Sequence, residues 1–129
     1  MAEQATILLV DNDYDFVEMN KAVLDEAGYT TACAYSMREA LEKLTLQRPD
    51  LIVLDLMMET HDSGFKFAKR IKTDPRYRDI PILMLTSVAQ VTGFRFSQEQ
   101  DGYWMKTDEF VEKPVSPEDL LRKVETLLS

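Results

Sequence analysis

Short apolar runs alternate along the chain with longer segments in which apolar residues recur every three or four positions. The runs are rich in Ile, Leu and Val, which is typical of strands buried on both faces of a sheet. Together with one segment rich in Thr and Ala, they predict strands at Thr6–Val10, Thr30–Tyr35, Leu51–Leu54, Ile80–Leu85 and Phe110–Val111.

The segments between these strands have the periodicity of amphipathic helices. Four helices are predicted by apolar stripes made of Phe16, Met19, Val23, Leu24 and Ala27; of Ala40, Leu41 and Leu44; of Phe65, Ala68 and Ile71; and of Leu120, Leu121, Val124 and Leu128. Gly28 is placed to end the first helix in a left-handed conformation. Ser36 with Glu39, and Ser116 with Pro117, are start signals for the second and the last helix.

The segment Ser87–Lys106 breaks this alternation. It carries glycines and polar clusters without helical periodicity, so the fourth crossover is predicted to be a long, irregular loop with at most a short helix. Elsewhere, buried strands alternate with amphipathic helices, which indicates a parallel sheet covered by helices on both faces. The sequence therefore predicts one doubly wound α/β domain over residues 1–129, with no repeat or flexible linker to divide it.

The composition fits one globular domain in a reducing compartment. The chain has 129 residues, 45% of them hydrophobic, and a domain of this length buries enough surface to need no disulfide. The single cysteine, Cys33, excludes an internal disulfide and a cysteine-based metal cluster. No apolar run approaches the length of a membrane span, and the amino terminus lacks the basic region of a signal peptide. We therefore expect a cytoplasmic location without membrane insertion.

The charge balance narrows the range of partners. The chain has 15 Lys and Arg against 23 Asp and Glu, which gives a net charge of −8. Such a surface repels phosphate backbones and anionic lipids, so direct binding to nucleic acid is not expected. Proteins and cations are the expected partners.

Polar side chains follow four of the five predicted strands at the points where those strands end. They are Asp11, Asn12 and Asp13 after the first strand, Asp55 after the third, Thr86 and Ser87 after the fourth, and Lys113 after the fifth. In open parallel sheets, functional groups collect just beyond the carboxyl ends of the strands. Carboxylate and amide oxygens suit Mg²⁺, and a nucleophilic carboxylate near a hydroxyl and an ammonium group is suited to hold a phosphoryl group.

Asp55 is the most informative of these residues. It stands between the apolar residues 51–54 and 56–58, and a carboxylate among apolar neighbours is costly without a cation nearby. Asp13, by contrast, is expected to cap the helix that follows it.

Four blocks of the sequence carry a resemblance to a known family. The runs ILLVDND at 7–13, LIVLDLMM at 51–58, ILMLTS at 82–87 and FVEKP at 110–114 resemble, in order and spacing, the signature blocks of the receiver domain of two-component response regulators. The resemblance spans essentially the whole chain. It implies a flavodoxin-like sheet of strand order 2-1-3-4-5. Because the sequence ends after the last predicted helix, we expect a stand-alone receiver without an output domain of its own, either a diffusible signalling protein, a phosphorelay intermediate or a receiver excised from a longer chain.

The resemblance also implies a role for each site residue. Asp55 would accept a phosphoryl group from a sensor histidine kinase or a phosphotransfer protein, with Mg²⁺ as the cofactor. The metal would be held by Asp11 through water, by Asn12 and Asp55, and by the backbone carbonyl of Met57.

The remaining implied roles concern the response to phosphorylation. Thr86 and Lys113 would each bind a phosphoryl oxygen, and Phe110 would be an aromatic switch residue that moves inward when Thr86 moves. The change would alter the face that binds a downstream protein target. By this resemblance the chain is a phosphoryl acceptor, able to lose the group by autodephosphorylation, rather than a turnover enzyme.

The sequence departs from the family pattern in three places. Asn12 stands where the family usually has a second carboxylate, so Mg²⁺ should bind more weakly. Glu59 replaces the usual proline after the acceptor block, and one residue is inserted before Gly64. The long segment between Thr86 and Phe110 carries four aromatic residues in a region that, in the family, forms part of the output face.

The residue at position 12 leaves a second function open. In this alternative, the chain is a receiver-fold module for protein interaction. It works without phosphorylation, because Asn12 weakens the metal site. A phosphatase that uses paired aspartates after its first strand is disfavoured, since the chain lacks the downstream acidic pair that such an enzyme needs for its metal.

Overall fold

Five parallel strands form one sheet in the computed structural model, which describes residues 5–55, 63–86, 109–112 and 115–128, and only the backbone at 63–65, 86, 110 and 112. The strands are β1 (Thr6–Val10), β2 (Thr30–Ala34), β3 (Leu51–Asp55), β4 (Ile82–Thr86) and β5 (Glu109–Glu112). Their order is β2-β1-β3-β4-β5, and every neighbouring pair is parallel. The predicted α/β fold and strand order are confirmed.

Four helices lie within the described residues: α1 (Tyr14–Glu26), α2 (Met37–Leu46), α3 (Ser63–Lys72) and α4 (Pro117–Leu128). The serines predicted to start the second and the last helix cap α2 and α4. Ser36 Oγ accepts a hydrogen bond from the Glu39 backbone N–H at 3.1 Å, and Ser116 Oγ accepts one from the Asp119 N–H at 3.1 Å. Gly28, just after α1, has a φ of 103°, which is the left-handed conformation predicted for it.

The core has two layers, one on each face of the sheet, because side chains alternate along each strand. The α2–α3 layer takes from the strands Leu8, Val10, Ile52, Leu54, Ile82 and Met84. The α1–α4 layer takes Ile7, Leu9, Leu51, Val53, Leu83 and Leu85. All of these strand side chains are at most 1% exposed, as predicted for strands covered on both faces.

The buried face of α1 differs from the predicted stripe. Its buried residues are Val17, Asn20 and Leu24, whereas Met19 is 49% exposed and Ala27 is exposed. The difference arises because a polar residue occupies the inner face. Asn20 is 1% exposed, and its Nδ2 donates a hydrogen bond to the Phe16 carbonyl at 2.7 Å.

In α3, the predicted residues Ala68 and Ile71 are buried, and Phe67 is buried with them, which the predicted stripe did not include. The helix also buries a charge. Lys72 is 4% exposed, and its ammonium group donates hydrogen bonds to the carbonyl of Arg78 at 3.2 Å and that of Ile80 at 2.9 Å.

The start of β4 also differs from the prediction. The strand begins at Ile82 rather than Ile80, because Pro81 has no N–H and the Ile80 N–H donates to the Tyr77 carbonyl at 3.0 Å in the preceding turn. The irregular crossover predicted for Ser87–Lys106 lies outside the described residues. Among the helices that are described, none has the length and apolar character needed to cross a bilayer.

Candidate functional site

Asp11 and Asp55 are buried carboxylates at the carboxyl ends of the neighbouring strands β1 and β3. Asp11 is 2% exposed and Asp55 is 8% exposed. Val10 pairs with Leu54 at the end of the two strands, and Asp11 and Asp55 directly follow these paired residues. The pairing brings both acidic residues to one edge of the sheet, as the sequence predicted.

The two aspartates are also in phase with the same face of the sheet. Residues two positions apart along a strand lie on the same face, so Asp11 shares the face of Leu9 and Asp55 that of Val53. Both apolar residues pack in the α1–α4 layer. Carboxylates buried at one edge and on one face repel each other when both are ionised. A nearby cation relieves that cost, which makes this edge a candidate cation site.

Backbone hydrogen bonds fix the turn that carries Asp11. Its N–H donates to the Ala34 carbonyl at 3.1 Å, and its Oδ1 accepts from the Asp13 N–H at 3.0 Å. Asp13 is exposed and caps α1, with its Oδ1 accepting from the Phe16 N–H at 3.2 Å. The capping role predicted for Asp13 is therefore confirmed, and Asn12 lies exposed between the two aspartates.

Thr86 ends β4, which is the other neighbour of β3 in the sheet. Leu85 pairs with Asp55, so the Thr86 backbone lies one residue beyond the partner of Asp55. Three adjacent strands thus bring Asp11, Asp55 and Thr86 to one edge.

The fifth strand continues this edge. Phe110 pairs with Met84, and Glu112 pairs with Thr86, so Lys113 directly follows the partner of Thr86 in the sequence. Other predicted features lie outside the described residues; these are Lys113 itself, the Met57 carbonyl, Glu59 and the aromatic segment between β4 and β5.

The described oxygen donors at this edge fit a hard cation. Within the described ranges, no group of three or more His, Cys, Asp or Glu side chains is arranged to hold an ion. The edge offers instead the carboxylates of Asp11 and Asp55 and the side-chain amide of the exposed Asn12. Mg²⁺ is commonly bound by one or two carboxylates and keeps several waters, so this donor set is compatible with it.

An aromatic pair, which the sequence reasoning missed, lies beside the Asp11 turn. Tyr14, the first residue of α1, stacks on Tyr35, with ring centroids 4.2 Å apart and an interplanar angle of 16°. The Tyr35 hydroxyl donates a hydrogen bond to Glu18 at 3.1 Å. Desolvation, and then this hydrogen bond, raise the pKa of Tyr35 to about 12. No local pattern in the sequence pairs the two tyrosines, because most of α1 and all of β2 separate them along the chain.

The sequence profile of the response regulator receiver domain matches residues 7–125. The chain belongs to this family. This receiver domain superposes on the chemotaxis response regulator CheY4 of Vibrio cholerae with a TM-score of 0.80 and 33% identity, covering 97% of this chain and 99% of that one. It is similar also to a putative response regulator from Chloroflexus aurantiacus, with a TM-score of 0.79 and 31% identity over 97% and 98% of the two chains.

Longer relatives are similar to this receiver domain over part of their length. The phosphate regulon transcriptional regulatory protein PhoB of Pseudomonas aeruginosa is 33% identical over 123 residues, which are 95% of this chain and 51% of PhoB. The chain spans about half the length of such relatives. Receiver domains are signalling switches that interact with histidine kinases or phosphotransfer proteins and with downstream targets, and the family typically uses Mg²⁺ at the phosphorylation site.

Proposed function

We propose that this receiver domain is a switch that accepts a phosphoryl group on the Asp55 carboxylate. The observation that carries the proposal is the burial of Asp55, 8% exposed, at the end of the central strand β3 and beside the buried Asp11. Burial of two neighbouring carboxylates costs stability, so their presence at this edge favours a functional role over a structural one.

The transfer requires a phosphorylated histidine on a partner protein. An Asp55 carboxylate oxygen attacks the phosphorus, and the P–N bond breaks. The imidazole leaves with the electron pair of that bond and takes up a proton. The product on the receiver domain is an acyl phosphate, and a carboxylate nucleophile carries no proton that a general base would have to remove.

The other site residues are proposed to stabilise the charge that gathers on Asp55. Mg²⁺ is proposed to be held by Asp11, Asn12, Asp55 and the Met57 carbonyl, and when bound it offsets the negative charge shared by the acceptor and the phosphoryl oxygens. The Thr86 hydroxyl and the Lys113 ammonium group are proposed to bind two of the phosphoryl oxygens.

The output is proposed to be a change in a protein-binding face. Thr86 and Phe110 are the proposed switch residues, and they lie on the adjacent strands β4 and β5. The phosphoryl donor is proposed to be a sensor histidine kinase or a phosphotransfer protein. The target that responds to the switch is proposed to be a downstream protein in the cytoplasm. The net charge of −8 opposes direct contact with nucleic acid.

The residue at position 12 favours a second candidate function. Asn12 contributes an amide where a carboxylate would bring a further negative charge, so the affinity for Mg²⁺ is expected to be lower. If the metal is held too weakly for phosphorylation, the fold serves as a protein-interaction module that is always in one state.

The deciding experiment is mass spectrometry of the intact protein after incubation with acetyl phosphate, with and without Mg²⁺. The wild type is expected to gain one phosphoryl group only with Mg²⁺, and Asp55→Asn is expected to gain none. Asp50→Asn is the matched control, because Asp50 precedes the same strand at its other end and accepts a hydrogen bond from the Thr6 N–H at 2.8 Å. This control should be phosphorylated like the wild type.

Two further variants separate the candidate functions. Asn12→Asp should lower the Mg²⁺ concentration needed for phosphorylation, and Lys113→Ala should leave part of the uptake intact while disconnecting it from the response. An adduct that persists in Asp55→Asn contradicts the proposed acceptor. No adduct in the wild type, together with one in Asn12→Asp, favours the module that works without phosphorylation.

A further inference from the structure

A basic surface lies on α3 and the turn after it, in a chain whose net charge is −8. The helix carries four Lys and Arg and no acidic residue. Arg48, which precedes β3, joins this surface because its Nε donates a hydrogen bond to the Arg76 carbonyl at 3.3 Å. We define the basic α3 surface by its exposed cationic members, Arg48, Lys66, Lys69, Arg70, Arg76 and Arg78. They outnumber the two acidic residues of the same turn, Asp74 and the exposed Asp79.

A small groove between α2 and α3 opens onto this surface. Its volume is about 90 Å³, and its apolar lining comes from Leu41, Leu44 and Ile71. Arg70 and Arg76 also line it, together with Asp74, whose partly buried carboxylate is paired with Arg76. An apolar pocket bordered by two guanidinium groups suits one apolar side chain with carboxylates on either side of it.

One of these guanidinium groups is already held in place. The Asp74 carboxylate accepts hydrogen bonds from Arg76 Nη2 at 2.8 Å and from Nε at 3.2 Å, and Arg76 Cζ lies 5.0 Å from the centroid of the Tyr77 ring. The Arg76 side chain is nevertheless 71% exposed. A guanidinium carries five N–H donors, so others remain for a partner, and the fixed orientation lowers the entropy cost of binding.

The surface is separate from the phosphoryl-acceptor site. Helices that cross between parallel strands run back along the sheet, so α2 and α3 end at the edge opposite to Asp55. The groove is lined by residues within the segment 41–45 of α2, by the end of α3 and by the turn that follows. A partner bound here leaves the carboxyl edge of the sheet uncovered.

We propose that the basic α3 surface binds an acidic segment of a partner protein, with one apolar side chain in the groove and carboxylates on Arg70 and Arg76. Because the rest of the chain is strongly acidic, such a segment is repelled elsewhere and attracted here. A nucleic acid is a poorer match, since its phosphates meet the same repulsion and it has no apolar side chain for the groove.

The test is fluorescence anisotropy with a labelled synthetic peptide of Asp and Glu residues around a single Leu. The wild type should bind it, and Arg70→Glu should weaken binding about tenfold or more, since an attraction becomes a repulsion. Arg122→Glu is the control of equal charge change, because Arg122 is exposed on α4, on the other side of the sheet. It should change the affinity less than about twofold.

Three further arms separate this proposal from others. Arg70→Lys should retain most of the binding, and a peptide with Ser in place of Leu should bind about tenfold more weakly because the groove stays empty. Asp55→Asn should bind like the wild type, so failure of the phosphorylation proposal does not affect the result. Equal weakening by Arg122→Glu, stronger binding of a labelled DNA duplex, or a dimer that Arg70→Glu dissociates would overturn the proposal.

Discussion

Residues of one chemical type have different roles in this protein because the fold buries them differently. Asp11 and Asp13 are two positions apart, yet the first is 2% exposed at the end of β1 and the second is exposed and caps α1. Asp55 shares the burial of Asp11. The sequence anticipated this division, because Asp55 has apolar neighbours on both sides and Asp13 stands where a helix begins.

Tyr35 gives the folded state a measurable dependence on pH. Its pKa is raised to about 12 by desolvation and by its hydrogen bond to Glu18, whereas an unfolded tyrosine ionises near pH 10. The folded state therefore favours the neutral phenol. This contribution to stability is complete below about pH 10 and is lost as the pH rises towards about 12.

Urea unfolding between about pH 9 and about pH 12 tests this prediction. The free energy of unfolding should fall less steeply with pH in Tyr35→Phe than in the wild type. Glu18→Gln should give an intermediate slope, because the amide oxygen still accepts the hydrogen bond without the charge. An identical pH dependence in the wild type and Tyr35→Phe would contradict the assignment.

At the scale of elements, polar contacts join the end of one element to the start of the next. The Tyr35 N–H donates to Glu39 Oε1 at 2.8 Å, which ties the end of β2 to the first turn of α2. Lys72 does the same for α3, because its ammonium group reaches the carbonyls of Arg78 and Ile80, just before β4. The turn between α3 and β4 is thus held by a buried charge.

Lys72→Met should destabilise the protein by about 1 to 3 kcal/mol, because buried carbonyls lose their donor while the side-chain volume is nearly kept. Lys69→Met is the matched control, since Lys69 lies on the same helix but is exposed. It should change the free energy of unfolding by less than about 0.5 kcal/mol. Equal effects of the two substitutions in urea unfolding would show that the buried contacts of Lys72 contribute nothing.

At the scale of the whole molecule, the sheet separates two core layers that do not share side chains. Ile80 belongs to the α2–α3 layer and Leu120 to the α1–α4 layer. Substitutions in different layers should therefore act independently, whereas substitutions at neighbouring positions within one layer should influence each other.

A double-mutant cycle measures this independence. Ile80→Val should cost about 1 kcal/mol and Leu120→Ala about 3 kcal/mol, and the double variant should cost their sum within about 0.5 kcal/mol. Leu120→Ala with Val124→Ala is the comparison, because both residues are buried one turn apart on α4. A coupling between Ile80 and Leu120 as large as that between Leu120 and Val124 would show that the layers are not independent.

The sequence by itself determined the features that depend on local pattern. Apolar runs mark strands covered on both faces, serines mark the starts of α2 and α4, and Gly28 marks the end of α1, because each signal lies within a few residues of the element it controls. The strand-end positions of Asp11, Asp55 and Thr86 followed from the same patterns. Parallel pairing then brings these residues to one edge.

Only the tertiary structure decided the features that join distant segments. Asn20 is buried in a face that an apolar pattern alone does not reveal. Tyr14 stacks on Tyr35, which follows β2 and is 21 positions later in the sequence. Arg48 meets the Arg76 backbone although 28 residues separate them. Such contacts depend on how helices pack on the sheet, and no periodicity within one segment encodes the neighbour that packing supplies.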